Sequence, residues 1–147
     1  MNFRALMLIA LSALAIATSA DLYSQTCWIR TSTTSTGAPV YTEVYEYDYV
    51  EQKPEFPGGR SSMINFINST REYPAEAYQL GIEGRVTCAF IVNPDGKVSH
   101  VSVLRGVESS LNQEAIRIIS SMPAWSPGII EGVRVPTRVV CCIPFRK

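Results

Sequence analysis

The sequence is short of the residues that most reaction centres need. It holds one histidine, His100, in 147 residues. A histidine-rich metal site is therefore excluded, and a Ser-His-Asp arrangement would have to be built on that single imidazole. Charge of either sign is scarce: charged residues make up 18%, and 13 basic side chains balance 13 acidic ones. A nucleic-acid binder usually carries a basic excess, so that partner class is not expected. Four cysteines, Cys27, Cys88, Cys141 and Cys142, have spacings that fit neither a zinc ribbon nor a CxxC redox motif. No metal or other cofactor is implied. Glu51, Glu55, Glu72 and Glu76 are scattered carboxylates without a nucleophile or base beside them in the sequence. The residues describe no enzyme. What is plentiful is apolar surface: 46% of residues are hydrophobic, enough for one packed domain at this length.

The longest apolar run is also short. Ala5 to Ala17 is broken only by Ser12, follows Arg4, and precedes the small residues Thr18-Ser19-Ala20. This is the pattern of a secretory signal with cleavage after Ala20. As a helix, 13 residues span only about 20 Å, against about 30 Å for a bilayer core, so an uncleaved anchor is the weaker alternative. Ser24-Gln25-Thr26 before Cys27 is a poor lipobox. Export carries the four cysteines into an oxidising compartment.

Residues 21–47 read as a Ser/Thr-rich linker, with Thr31-Ser32-Thr33-Thr34-Ser35-Thr36 at its centre. Tyr41, Tyr45, Tyr47 and Tyr49 alternate with polar residues, which fits either an extended edge strand or a partly ordered tail.

From residue 48 the signals become regular. Pro54, Pro57, Gly58 and Gly59 make a stiff lead-in. Ser61 or Ser62 is a candidate cap for a helix carrying Met63, Ile64, Phe66 and Ile67. Pro74 and Gly81 bracket a two-turn helix, Ala75–Leu80. Val86, Cys88, Phe90 and Val92 share one face of a strand, Asn93-Pro94-Asp95-Gly96 is a turn, and Lys97–Leu104 returns. Ser110 and Gln113 suggest a capping box ahead of the stripe Leu111, Ala115, Ile118, Met122. Val133–Phe145 is a long final strand with Val135, Val139, Cys141, Ile143 and Phe145 on one face.

Helix, hairpin, helix, strand predicts an α+β fold. The sheet is small, three-stranded and antiparallel, in the order second-first-third, with helices packed on one face. The third strand is then an edge. Pro136, Pro144, Arg134 and Arg138 can protect such an edge from unwanted pairing; an available edge can equally accept a partner's strand. Cys88 and Cys141 fall on neighbouring strands, as a candidate disulfide or as two small buried hydrophobes.

The order of residues resembles the TonB C-terminal domain family. The resemblance rests on the lead-in Val50-Glu51-Gln52-Lys53-Pro54-Glu55-Phe56-Pro57-Gly58-Gly59. Tyr73-Pro74, Gly81-Ile82-Glu83-Gly84-Arg85-Val86, Asp95-Gly96, Val103-Leu104-Arg105-Gly106, Met122-Pro123, Trp125, Pro127-Gly128 and Phe145 follow in order. It covers residues 48–147. The resemblance implies a non-enzymatic module that captures the TonB box, an N-terminal peptide of a TonB-dependent outer-membrane receptor. Capture is by strand addition at the last strand. The implied edge is Val133, Arg134, Val135, Thr137, Arg138, Val139 and Val140.

Full-length relatives of this pattern carry an inner-membrane anchor, a motor complex as partner, and a long proline-rich linker. Here Asp21 to Tyr49 is 29 residues, about 100 Å if fully extended and about 30 Å as a flexible coil. Cys141-Cys142 stands where the family usually has an apolar residue and a proline. The alternatives to a free periplasmic binding module are a short anchored energy transducer working with an inner-membrane motor, and a structural envelope module that forms a homodimer through its edge.

Overall fold

The computed structural model describes residues 26–147. The signal segment 1–20 lies outside the described residues. The chain divides into two units, residues 1–43 and 44–147. In the first, β1 (Thr26–Thr33) and the greater part of β2 (Pro39–Glu46) are strands within the stretch read as a linker. The turn between them closes by Gly37 N–H donating to Thr34 O at 2.9 Å. The second unit begins with the last residues of β2.

In that unit the lead-in turns into α1 (Gly59–Thr70) earlier than a serine cap would allow. Gly58 is the N-cap, at φ 81°, with no side-chain cap. Gly59 also has positive φ, and its N–H donates to Phe56 O at 2.8 Å. Two consecutive residues in a region closed to most side chains explain the Gly-Gly pair. A short α2 (Ala75–Gln79) follows Pro74. The hairpin is present as β3 (Gly84–Val92) and β4 (Val98–Arg105). Gly96 N–H donates to Asn93 O at 2.8 Å across its turn.

Helix α3 (Ser109–Ser120) buries Leu111, Ala115, Ile118 and Ile119, largely the expected stripe. Its cap differs from the expected box. Glu108 is the N-cap, and its carboxylate accepts from Ser110 N at 2.8 Å and from the Ser110 hydroxyl. Those hydrogen bonds hold the Glu108 carboxyl below the usual carboxylate range.

The final strand is broken. β6 (Val133–Val135) pairs antiparallel with β5 (Gly128–Ile130) in a separate two-stranded ribbon, and β7 (Thr137–Phe145) resumes after Pro136. Proline has no N–H to continue the ladder, and the chain changes sheet there. The expected antiparallel set is found as β4–β3–β7, in the order second-first-third. It is corrected to a four-stranded mixed sheet by the end of β2. Tyr45 and Glu46 lie parallel to β7, opposite Thr137 and Arg138.

Helices cover one sheet face. Val86, Cys88, Phe90, Val92, Val139, Cys141, Ile143 and Phe145 meet α3, Phe56, Ile67 and Trp125 in one core. Burying each of the larger side chains stabilises by about 1.5–3 kcal/mol.

Candidate functional site

Strand β7 is the element on which the site is built. Its register with β3 is continuous from Thr137↔Val92 to Phe145↔Gly84. In an antiparallel pair, successive residues alternate between exchanging backbone bonds with the partner strand and pointing them away. Two contacts fix which residues point away. Pro136 O accepts from Tyr45 N at 3.0 Å. Pro144 O accepts from Arg71 Nη1 at 2.6 Å. The even-numbered residues therefore turn their backbone groups outward. At one end β2 uses this edge, and at the other Arg71 caps it. Between those ends, the N–H and C=O of Val140 and of Cys142 face outward, and among the described residues no strand lies beside them. The Cys141 thiol makes a long 3.9 Å contact with Cys142 O.

This stretch borders a groove of about 1110 Å³. Arg138 to Cys142 and Pro144 form one wall, and Arg60, Met63, Ile64, Ile67 and Asn68 of α1 form the other. Ile64 is 46% exposed and Val140 54%, so apolar surface flanks the open backbone. Phe56 and Trp125 also line the groove. The Trp125 ring meets Phe56 edge-on at 5.7 Å and Phe90 at 5.4 Å. Among the described residues its buried indole N–H has no hydrogen-bond partner. Trp125 thus belongs both to the core and to the groove.

The residues expected to accept a peptide are not brought together. Val133, Arg134 and Val135 lie in the β5–β6 ribbon, opposite Ile130, Ile129 and Gly128. Thr137 is fully buried, and Arg138 reaches Glu46 at 3.3 Å in a partly exposed ion pair. Val139 turns its side chain into the core, and only Val140 stands on the open part of the edge. The open stretch lies further along β7 than the sequence indicated. Cys142, Pro144 and the α1 wall were missed. The alternation of apolar residues through Phe145 marked the strand, but nothing in it marked where β2 would end.

Cys88 and Cys141 face each other in register, and both are buried free thiols. They sit across a pair that exchanges backbone bonds, the wider of the two antiparallel spacings. Burial pushes each thiol up to about 11. Cys142 is exposed on the opposite sheet face, with its Sγ 3.4 Å from Thr87 Oγ1. Among the described residues no cluster of His, Cys, Asp and Glu could hold a metal ion. No described helix is long and apolar enough to cross a membrane.

The opposite edge of the sheet is less inviting. β4 loses register with β3 between Ala89 and Ile91, and His100 has φ 51°. A bulge of this kind disrupts edge pairing.

The model of the Gram-negative bacterial TonB protein C-terminal family matches residues 69–146. The chain belongs to this family. The TonB C-terminal family is non-catalytic, serves TonB-dependent transport at the cell envelope, and interacts with outer-membrane receptors. Two solved structures are similar to the chain, both NMR solution structures of the Helicobacter pylori TonB C-terminal domain. The one spanning its residues 194–285 is 26% identical, over 58% of this chain and 90% of that one, with a TM-score of 0.46. The one spanning 179–285 is 24% identical, over 59% and 80%, with a TM-score of 0.42. No curated protein sequence matches the chain.

Proposed function

We propose that this TonB C-terminal domain captures an extended N-terminal peptide of an outer-membrane receptor by adding it as a strand to β7, at Val140 and Cys142. The observation that carries the reading is the pair of outward-facing peptide groups left between the Tyr45 and Arg71 contacts. Backbone bonding of this kind gives affinity that tolerates many sequences, and side-chain pockets add selectivity. The groove supplies such pockets in the apolar wall of α1. The bulged β4 edge offers no comparable run.

Backbone methylation tests the reading. Synthetic receptor N-terminal peptides are titrated against the full chain by calorimetry. Single N-methyl groups are then placed at successive peptide positions. Strand addition predicts an alternating pattern. Methylation of amides that face β7 abolishes binding, and methylation of the amides between them leaves it. Equal sensitivity at all positions, or no binding by the unmodified peptides, would sink the proposal.

A further inference from the structure

We infer that the groove reads an acidic side chain of its peptide through Arg85 and Arg146, on the sheet face turned away from the helices. The inference rests on the strand-addition reading above and names the chemistry of the peptide.

A second cavity, of about 320 Å³, is bounded by Arg85, Cys142, Pro144 and Arg146. Arg85, Cys142 and Pro144 also line the larger groove, so the two spaces adjoin along the edge of β7. Arg85 lies directly opposite Pro144 in the β3–β7 register. Both arginines are exposed. Among the described residues neither takes part in an ion pair. Arg71 is committed to Pro144 O, Arg117 to Glu114 and Arg138 to Glu46, while Arg60 stands on the α1 wall of the groove and not in this cavity. Two uncommitted guanidinium groups over an apolar floor form a site for a carboxylate, which a guanidinium can hold by two parallel hydrogen bonds.

The chain's own strand shows the rule at work. Glu46 lies opposite Arg138 on the edge of β7, and its carboxylate reaches that guanidinium at 3.3 Å. Along the same face, the positions beyond Arg138 are Val140, Cys142 and Pro144. An added strand presents a side chain to this face at every second residue. The one opposite Cys142 or Pro144 comes to the arginine pair. An Asp or Glu there completes the charge arrangement, and an amide leaves it incomplete.

The test uses the full chain and a panel of synthetic octapeptides with alternating Val and Thr. A single Glu is moved through the positions, with Gln at the same place as the control. One Glu position should bind about three- to tenfold more tightly than its Gln control, the range of a partly exposed charge pair. The gap should close in the double variant Arg85→Gln/Arg146→Gln. It should shrink on going from about 50 to about 500 mM salt. The double variant Lys97→Gln/Arg105→Gln, an equal charge change at the two ends of β4, should leave it intact. A Glu advantage that is missing at every position, or that survives the double variant, overturns the inference while peptide binding itself upholds strand addition. Failure of every peptide to bind overturns both.

Discussion

Two neighbouring residues on β7 should respond oppositely to proline. Val139 is an odd-numbered position, so its N–H is turned to Phe90 on β3. Val139→Pro removes that donor, leaves a buried carbonyl on β3 unpaired and alters a side chain that is 7% exposed. An unpaired buried carbonyl costs about 1–3 kcal/mol, and the lost core packing adds about 1 kcal/mol. Against a typical total of about 5–15 kcal/mol, that is a large fraction. Val140→Pro removes an N–H that no described strand pairs with, from a side chain that is 54% exposed. Its cost to the fold should be about 1 kcal/mol or less. Peptide binding should fall at least tenfold, the value of about 1.4 kcal/mol for one lost backbone bond. Urea unfolding reads the first quantity and calorimetric titration the second. If Val140→Pro unfolds the chain as readily as Val139→Pro, the assignment of outward groups is wrong. If it binds peptide undiminished, β7 is not the docking edge.

Other outcomes follow from contacts that support the site. Gly96 has φ 85°, and a Cβ there would meet the Trp125 carbonyl. Gly96→Ala should cost at least about 2 kcal/mol in urea unfolding and weaken peptide binding by displacing a groove residue; a neutral effect would contradict the turn geometry. Glu114 accepts from Glu72 N at 2.7 Å and from Arg117 Nη2 and Nε at 2.6 and 2.8 Å. Burial pushes its carboxyl up, but these hydrogen bonds outweigh burial and hold it below the usual range. A lowered folded value gives stability that is complete above the unfolded value of about 4.3 and is lost as pH falls through the folded one. Glu114→Gln should therefore flatten the acid limb of the stability profile; an unchanged limb would refute the clamp. Thiol reagents should modify the exposed Cys142 rapidly. Cys88 and Cys141, with values of about 11, should react only on unfolding. Mapped labelling checks this, and a Cys88–Cys141 pair that resists labelling even when unfolded would show a disulfide.

Much of the architecture was legible because it rests on periodicity. Val86 to Val92 alternates, Leu111 to Met122 repeats at helical spacing, and Asn93 to Gly96 can hardly be anything but a turn. Each of these signals is local, and each element formed where it was expected. The break at Pro136 was harder to read. A proline inside an alternating run fits an outward-facing edge position, and Pro144 occupies such a position in an unbroken strand. Whether a proline interrupts or is tolerated depends on the β5 strand that draws Val133–Val135 away. That is a tertiary competition that the run itself does not record.

The last strand was legible, and the part of its edge that stays open was not. The apolar face of the last strand pointed to β7, but the usable edge is set by what already covers it. Tyr45 and Glu46 cover one end from a segment read as either strand or tail, and Arg71 closes the other from the end of α1. Both contacts join residues about 70 to 90 positions apart. Arg85 and Arg146 stand out only when the fold brings both to the cavity beside Cys142 and Pro144.

Amide hydrogen exchange, followed by NMR residue by residue with and without a receptor peptide, tests strand addition most directly. The account predicts that the Val140 and Cys142 amides exchange quickly in the free chain and become protected when peptide binds. The odd-numbered amides of β7 should be protected in both states. Peptide binding that leaves Val140 and Cys142 exchanging as before would contradict it.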